Sequence, residues 1–162
     1  MSRLEFDGMQ KTIRLYNAKE EVVGSWEAQN NIDHRVKDMR HLPDKTYMIQ
    51  DAHAPHLHVD HPEKDTADGE YGVYGIVRFY TPKTQYNKKH EGIGVHAGRE
   101  HYYRKPGPQH PTKGCIRTTE EAMKAIKELM QKDTLQTITI INNNIMKNKK
   151  WKNFLYYSYQ HF

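Results

Sequence analysis

Cys115 is the only cysteine in the 162 residues, so it can form no disulfide within the chain. It follows a glycine in Thr112-Lys113-Gly114-Cys115-Ile116-Arg117, a turn between a polar, proline-bearing loop and an amphipathic run. Upstream, Gly92-Ile93-Gly94-Val95-His96 reads as a short strand that carries a histidine. A thiol with a histidine at hand is what a cysteine nucleophile needs. An ordinary thiol pKa of about 8.5 leaves little thiolate at neutral pH, so a base or a positive field must activate it. His96 is the candidate base, and Arg117 adds charge. Gly114 permits a tight turn that brings the N–H groups of Gly114 and Cys115 toward a carbonyl oxygen gaining charge on attack. Thr118 reads as the N-cap of a following helix with Glu121 as its capping-box partner, which sets Cys115 just upstream of a positive helix end. The competing reading of Cys115 is a small buried apolar residue, the usual fate of a free cysteine.

A denser histidine cluster lies elsewhere. His53-Ala54-Pro55-His56-Leu57-His58-Val59-Asp60-His61 contains His-x-His-x-Asp-His, a pattern suited to a two-zinc hydrolase. The helices of the larger αββα scaffold that this chemistry uses have no counterpart in the sequence pattern. A solvated or substrate-facing loop accounts for the same residues. Between His96 and Cys115, an insert holds Gly98, Arg99, Tyr102, Tyr103 and Arg104. Its ends are pinned beside the candidate pair, so it borders the pocket, either as an exposed connection or as a lid offering aromatics and arginines to a carboxylate-bearing substrate. Thr112, Lys113, Gly98, Arg99, Tyr102 and Tyr103 are the candidate substrate contacts.

His96-Ala97-Gly98 and Thr112-Lys113-Gly114-Cys115-Ile116-Arg117 together resemble the L,D-transpeptidase catalytic (YkuD-like) family, whose signature is a strand histidine followed by a Ser/Thr-x-Gly-Cys-x-Arg/Asn turn. Within it the chain looks most like the branch of type VI secretion L,D-transpeptidase effectors. That likeness runs through Leu4-Glu5-Phe6-Asp7-Gly8, Leu42-Pro43-Asp44-Lys45-Thr46-Tyr47 and the helix start at Thr118-Thr119, over most of residues 4 to 143. Many members carry Ser-His-Gly-Cys where this chain has Thr-Lys-Gly-Cys, and without that second histidine the base role falls to His96. The resemblance implies a β-sandwich or barrel-like sheet with the site at one end. It implies a Cys115 thioester formed on a peptidoglycan stem peptide, expulsion of the terminal D-amino acid, and water or an amine as acceptor, with His96 taking the thiol proton and later activating that acceptor. Arg117 would support the turn or bind a stem carboxylate. No cofactor or metal is implied, and an effector would have an immunity protein as partner.

The elements that must position these residues are mostly strands. Thr12–Tyr16 and Val22–Trp26 flank a turn at Asn17–Glu20 as a hairpin, and Thr46–Gln50, Val73–Tyr80, Gly92–His96 and Thr137–Ile141 read as further strands. Thr119–Lys132 carries Ala122, Ala125, Ile126 and Leu129 at helical spacing. The expected fold is thus mostly β with one main helix after the nucleophile turn, as a single catalytic domain over 1–144. Residues 145–162 interleave Lys147, Lys149, Lys150 and Lys152 with aromatics and read as a tail packed on that domain, or as a non-catalytic surface for nucleic acid or cell wall. No nucleic-acid motif accompanies them, so nucleic acid is not the expected partner.

With 36% hydrophobic residues and a net charge of +5, the core must be lean and an anionic partner is favoured. No apolar run reaches the length of a membrane span or a signal peptide's apolar segment, so membrane insertion is not expected. Since the implied substrate lies outside the cytoplasmic membrane, the expectation is delivery by a dedicated secretion system into the periplasm of a target cell.

Overall fold

Strict alternation of apolar and polar residues builds the centre of the sheet. A computed structural model describes residues 1–35, 41–81 and 92–143. In chain order it contains β1 (Ser2–Asp7), β2 (Thr12–Tyr16), β3 (Val22–Gln29), β4 (Lys45–Met48), β5 (Ile76–Arg78), β6 (Gly94–His96), β7 (Ile116–Thr118), α1 (Glu120–Met130) and β8 (Leu135–Ile141). In β1, Leu4 and Phe6 turn inward while Arg3 and Glu5 stay partly exposed. Leu4 pairs with Leu15 of β2 and Ile138 of β8, and Phe6 with Ile13 and Ile140, all of them buried. On the outer face Glu5 pairs with Arg3 and Arg14.

The eight strands form one mixed sheet in the order β4-β8-β1-β2-β3-β7-β6-β5. Only β1–β8 and β6–β7 run parallel; the other neighbours are antiparallel. The sheet curls until its two edges meet. Ile49, just past β4, bridges Phe79, just past β5, through Gln50 N–H to Arg78 O at 2.8 Å and Tyr80 N–H to Met48 O at 2.9 Å. Of the two expected forms, the barrel-like one is therefore the better description, and the expectation of a mostly β fold with one helix holds.

The hairpin falls on β2 and β3, and the expected strands at 46–50, 73–80, 92–96 and 137–141 correspond to β4, β5, β6 and β8 with shifted ends. Two strands were not expected: β1, in the middle of the sheet, and β7, immediately after Cys115. The cap also moves by one residue. Thr119 is the N-cap, its hydroxyl accepting from Ala122 N–H at 3.1 Å. Thr118 lies in β7 opposite Ala28, and its hydroxyl donates to Glu27 O at 2.8 Å. The sheet claims Thr118, so the capping box with Glu121 does not form. Met123 and Ile126 of α1 are fully buried in the core shared with the sheet. The tail expected at 145–162 lies outside the described residues.

Candidate active site

The parallel pair β6–β7 brings the three principal candidates together. Val95 is in register with Ile116 and His96 with Arg117. Because side chains alternate along a strand, His96 and Arg117 sit side by side on one face, and Cys115, one residue before β7, belongs to that same face. Gly94, two residues before His96, has no side chain there; a Cβ would meet Val77 O at 2.3 Å, so β5 needs this glycine to lie close. The Cys115 Sγ lies 3.8 Å from Gly92 O.

A compact hydrogen-bonded turn presents the thiol. The Thr112 hydroxyl donates to Cys115 O at 2.7 Å and accepts from Gly114 N–H at 3.2 Å. Thr112, expected to touch substrate, is instead a buried staple of the turn. In this conformation Gly114 N–H is bonded to Thr112 and is not presented as an oxyanion donor. Gly114 itself has φ of 128°, a backbone region in which side-chain-bearing residues are strained. Asn30 locks the turn from behind: its amide donates to Gly114 O at 2.9 Å and Cys115 O at 3.0 Å, while its Oδ1 accepts from Leu42 N–H and Asn143 Nδ2, each at 3.0 Å.

Burial governs the electrostatics. It pushes the Cys115 thiol up to about 11, against the downward pull of the Gly94 N–H and the Arg117 charge. His96 is driven down to about 3 by burial and then by Arg117, with its Nδ1 bond to Ala97 O at 2.7 Å only partly offsetting this. The pair therefore rests as neutral thiol and neutral imidazole. Since Ala97 O can only accept, Nδ1 carries the hydrogen and Nε2 holds a free lone pair. The helix end does not reach the thiol as expected: β7 separates Cys115 from the cap at Thr119, and a helix-terminal field fades within about one turn.

Arg117 is 2% exposed and lowered to about 10 by burial, so it stays cationic at neutral pH. Its Nη2 donates to Glu70 O at 3.2 Å, while Nε and Nη1 are buried without a partner among the described residues. A buried guanidinium with two open nitrogens beside a thiol suits a carboxylate held next to the reacting carbonyl.

The remaining candidates scatter. Gly98 has φ of 103°, and a Cβ there would meet Gly69 O at 2.5 Å, so it fits as a packing residue. Arg99 N–H donates to the same oxygen at 3.0 Å, and the Arg99 guanidinium lies 5.5 Å from the centre of the Tyr102 ring. Tyr102 packs edge-on against His110, whereas Tyr103 and Lys113 point to solvent. The loop is closed at its base by Gly107 N–H to Arg99 O at 2.7 Å. In the histidine cluster, His56 bridges Ile76, His58 pairs with Asp65 and His61 with Glu63. Among the described residues no three His, Cys, Asp or Glu are grouped so that they could hold a metal ion.

Tyr71 and Asn30 had no signal in the sequence reading, whereas His58 belongs to the histidine cluster already read as a candidate metal or substrate-facing loop. Tyr71 packs edge-on against His96 with ring centres 4.9 Å apart, and burial pushes its phenol up to about 12. His58 stacks on the other side of the arrangement, 4.2 Å from Tyr71. Asn30 holds the turn across more than eighty residues of sequence.

The profile of the L,D-transpeptidase catalytic domain (YkuD) matches residues 11–141. No curated protein matches the sequence. An L,D-transpeptidase from Stackebrandtia nassauensis is similar in structure, with a TM-score of 0.52 and 11% identity over 88% of this chain and 56% of that one. So is Bd1075 of Bdellovibrio bacteriovorus, at TM-score 0.56 and 15% identity over 97% and 55%. This chain spans little more than half the length of either, and at these identities the likeness is one of fold. With the family profile covering both the His96 strand and the Cys115 turn, the chain belongs to the L,D-transpeptidase catalytic domain family.

Proposed function

We propose that this domain transfers the acyl group of a peptidoglycan stem peptide through a thioester on Cys115. The observation that carries the reading is the shared face of β6 and β7, where a thiol, a neutral imidazole and a guanidinium with two open nitrogens stand together. Arg117 holds a stem carboxylate and so sets which carbonyl meets the sulfur. As Sγ attacks, its proton passes to His96 Nε2; the neutral resting pair means that transfer accompanies attack instead of preceding it. The tetrahedral oxyanion is met by Cys115 N–H. Its collapse breaks the amide C–N bond, and the leaving amine takes the proton from His96. Water or an amine then attacks the thioester and restores the thiol.

Intact mass after incubation with a muropeptide bearing a tetrapeptide stem tests this. Expected is an adduct on Cys115 equal to the stem acyl group, absent in Cys115→Ala, whose melting temperature stays close to that of the parent. Turnover by Cys115→Ala at the parental rate would sink the thiol route.

The same proposal extends to an effector that attacks the wall of another cell, with an immunity protein covering the cleft between His96 and Cys115. It is supported by the resemblance of the motif-bearing segments. Expression with a periplasmic signal should be toxic, and Cys115→Ala should not; equal toxicity from the cytoplasm would point to another target.

A further inference from the structure

We propose that His58, held by Asp65, is a second acid–base residue of the site, acting on the acceptor in the half-reaction that resolves the thioester. The inference rests on the thioester route proposed above. Asp65 grips His58 twice: one carboxylate oxygen accepts the His58 backbone N–H and the other meets ring Nδ1 at 2.8 Å. A carboxylate oxygen accepts, so Nδ1 carries the hydrogen and Nε2 is left as a fixed lone pair, the form a general base requires.

The segment that carries His58 is tied to the site at several points. His56 N–H donates to Ile76 O at 2.7 Å, which anchors the loop to β5, and Tyr71 N–H donates to Lys64 O at 2.9 Å. Tyr71 O in turn accepts from Ala97 N–H at 3.1 Å, next to the carbonyl that orients His96. The His58 ring lies nearly parallel to the Tyr71 ring, 4.2 Å away at 18°, and Tyr71 meets His96 at 69°. Two imidazoles thus share one phenol ring, and both have Nδ1 committed and Nε2 open.

They differ in access. His96 is 2% exposed, whereas the side chain of His58 is 21% exposed. The scissile peptide is held against the sulfur, but an acceptor arrives from solvent after the amine has left. Of the two imidazoles, His58 is the one that solvent reaches. In the step, acceptor O–H or N–H gives its proton to His58 Nε2 as the oxygen or nitrogen bonds to the thioester carbon. The C–S bond breaks, and the proton on His58 returns through solvent to the Cys115 sulfur. No oxidant or cofactor is consumed.

The test uses His58→Asn, since the Asn side chain can keep the hydrogen bond to Asp65 while removing the basic nitrogen. With the same muropeptide, acyl-enzyme formation should stay within about threefold of the parent. The lifetime of the adduct should lengthen on the order of 100-fold, the usual worth of a general base. Hydroxylamine, which attacks a thioester without base assistance, should discharge parent and variant at equal rates. Asp65→Asn, which keeps the ring and loses the anionic anchor, should lengthen the lifetime by a smaller factor and serves if His58→Asn does not fold. An unchanged adduct lifetime in folded His58→Asn overturns the inference, as does equal slowing of both half-reactions, which would mark His58 as a loop pin. Failure of the parent to form any adduct would instead overturn the thioester route itself.

Discussion

Around β1, β2 and β8 the sheet buries Leu4, Phe6, Ile13, Leu15, Ile138 and Ile140, and keeps Arg3, Glu5 and Arg14 partly exposed as the Arg3–Glu5 and Arg14–Glu5 pairs. Around β6 and β7 the same sheet buries a thiol, an imidazole and a guanidinium side by side. The charge that the first region buries, Asp7, is satisfied by the N–H groups of Met9 and Gln10, each at 3.0 Å. The other region holds Arg117 with two nitrogens unpartnered among the described residues and drives Cys115 and His96 toward their uncharged forms. The contrast teaches that the apolar half supplies the stability that lets the other half keep unsatisfied polar groups in place for a ligand.

Paired substitutions separate the two halves. Leu4→Ala should lower stability by about 2–5 kcal/mol through the cavity it leaves, with the rate of adduct formation unchanged below the melting transition. Arg117→Met should leave stability equal or raise it, because an incompletely bonded buried charge is removed, while acylation by the stem peptide collapses. Denaturant unfolding together with adduct mass reads both. A destabilised but active Arg117→Met would break the comparison.

A smaller effect sharpens it through pH. The folded state holds the Cys115 proton up to about 11, whereas the unfolded thiol releases it near its ordinary value of about 8.5. The folded state therefore binds more protons across that window, and stability falls as pH rises through it. Cys115→Ala should flatten this alkaline loss in melting curves and leave the acid side unchanged. On the acid side His96 works the other way: its folded value of about 3 lies below the unfolded value of about 6.5, so stability falls as pH drops through that range. Iodoacetamide should label Cys115 slowly at neutral pH, with the rate climbing toward pH 11; a midpoint in the ordinary thiol range would contradict the burial argument.

Much of the site was legible because its chemistry is local. The single cysteine, the glycine before it, the arginine after it and the strand histidine are short-range patterns, and the register of β6 with β7 unites them. The hairpin, helix and β8 followed from periodicity. The cap was misplaced because two adjacent threonines compete for it, and only the pairing of Thr118 with Ala28 across the sheet decides between them. β7 was hidden for a related reason: three residues carry too little alternation to mark a strand. Tyr71, the His58–Asp65 pair and Asn30 act through partners far away in sequence or through ring contacts that no spacing rule encodes. The histidine cluster drew attention for its metal-like pattern, yet its member nearest the site is bound to Asp65, outside that pattern.

The Asn30 network also orders events in time. Its amide grips the Cys115 turn, and its carbonyl oxygen is met by Asn143, just past β8, the strand that inserts between β4 and β1. A nascent chain emerging from the ribosome carries the thiol long before it carries Asn143. Until that residue emerges, the turn lacks its rear support and the sheet lacks an inner strand, so a partly synthesised chain bears a cysteine without a finished site. For a domain proposed to cut wall peptides, competence waits on a residue far downstream of its nucleophile.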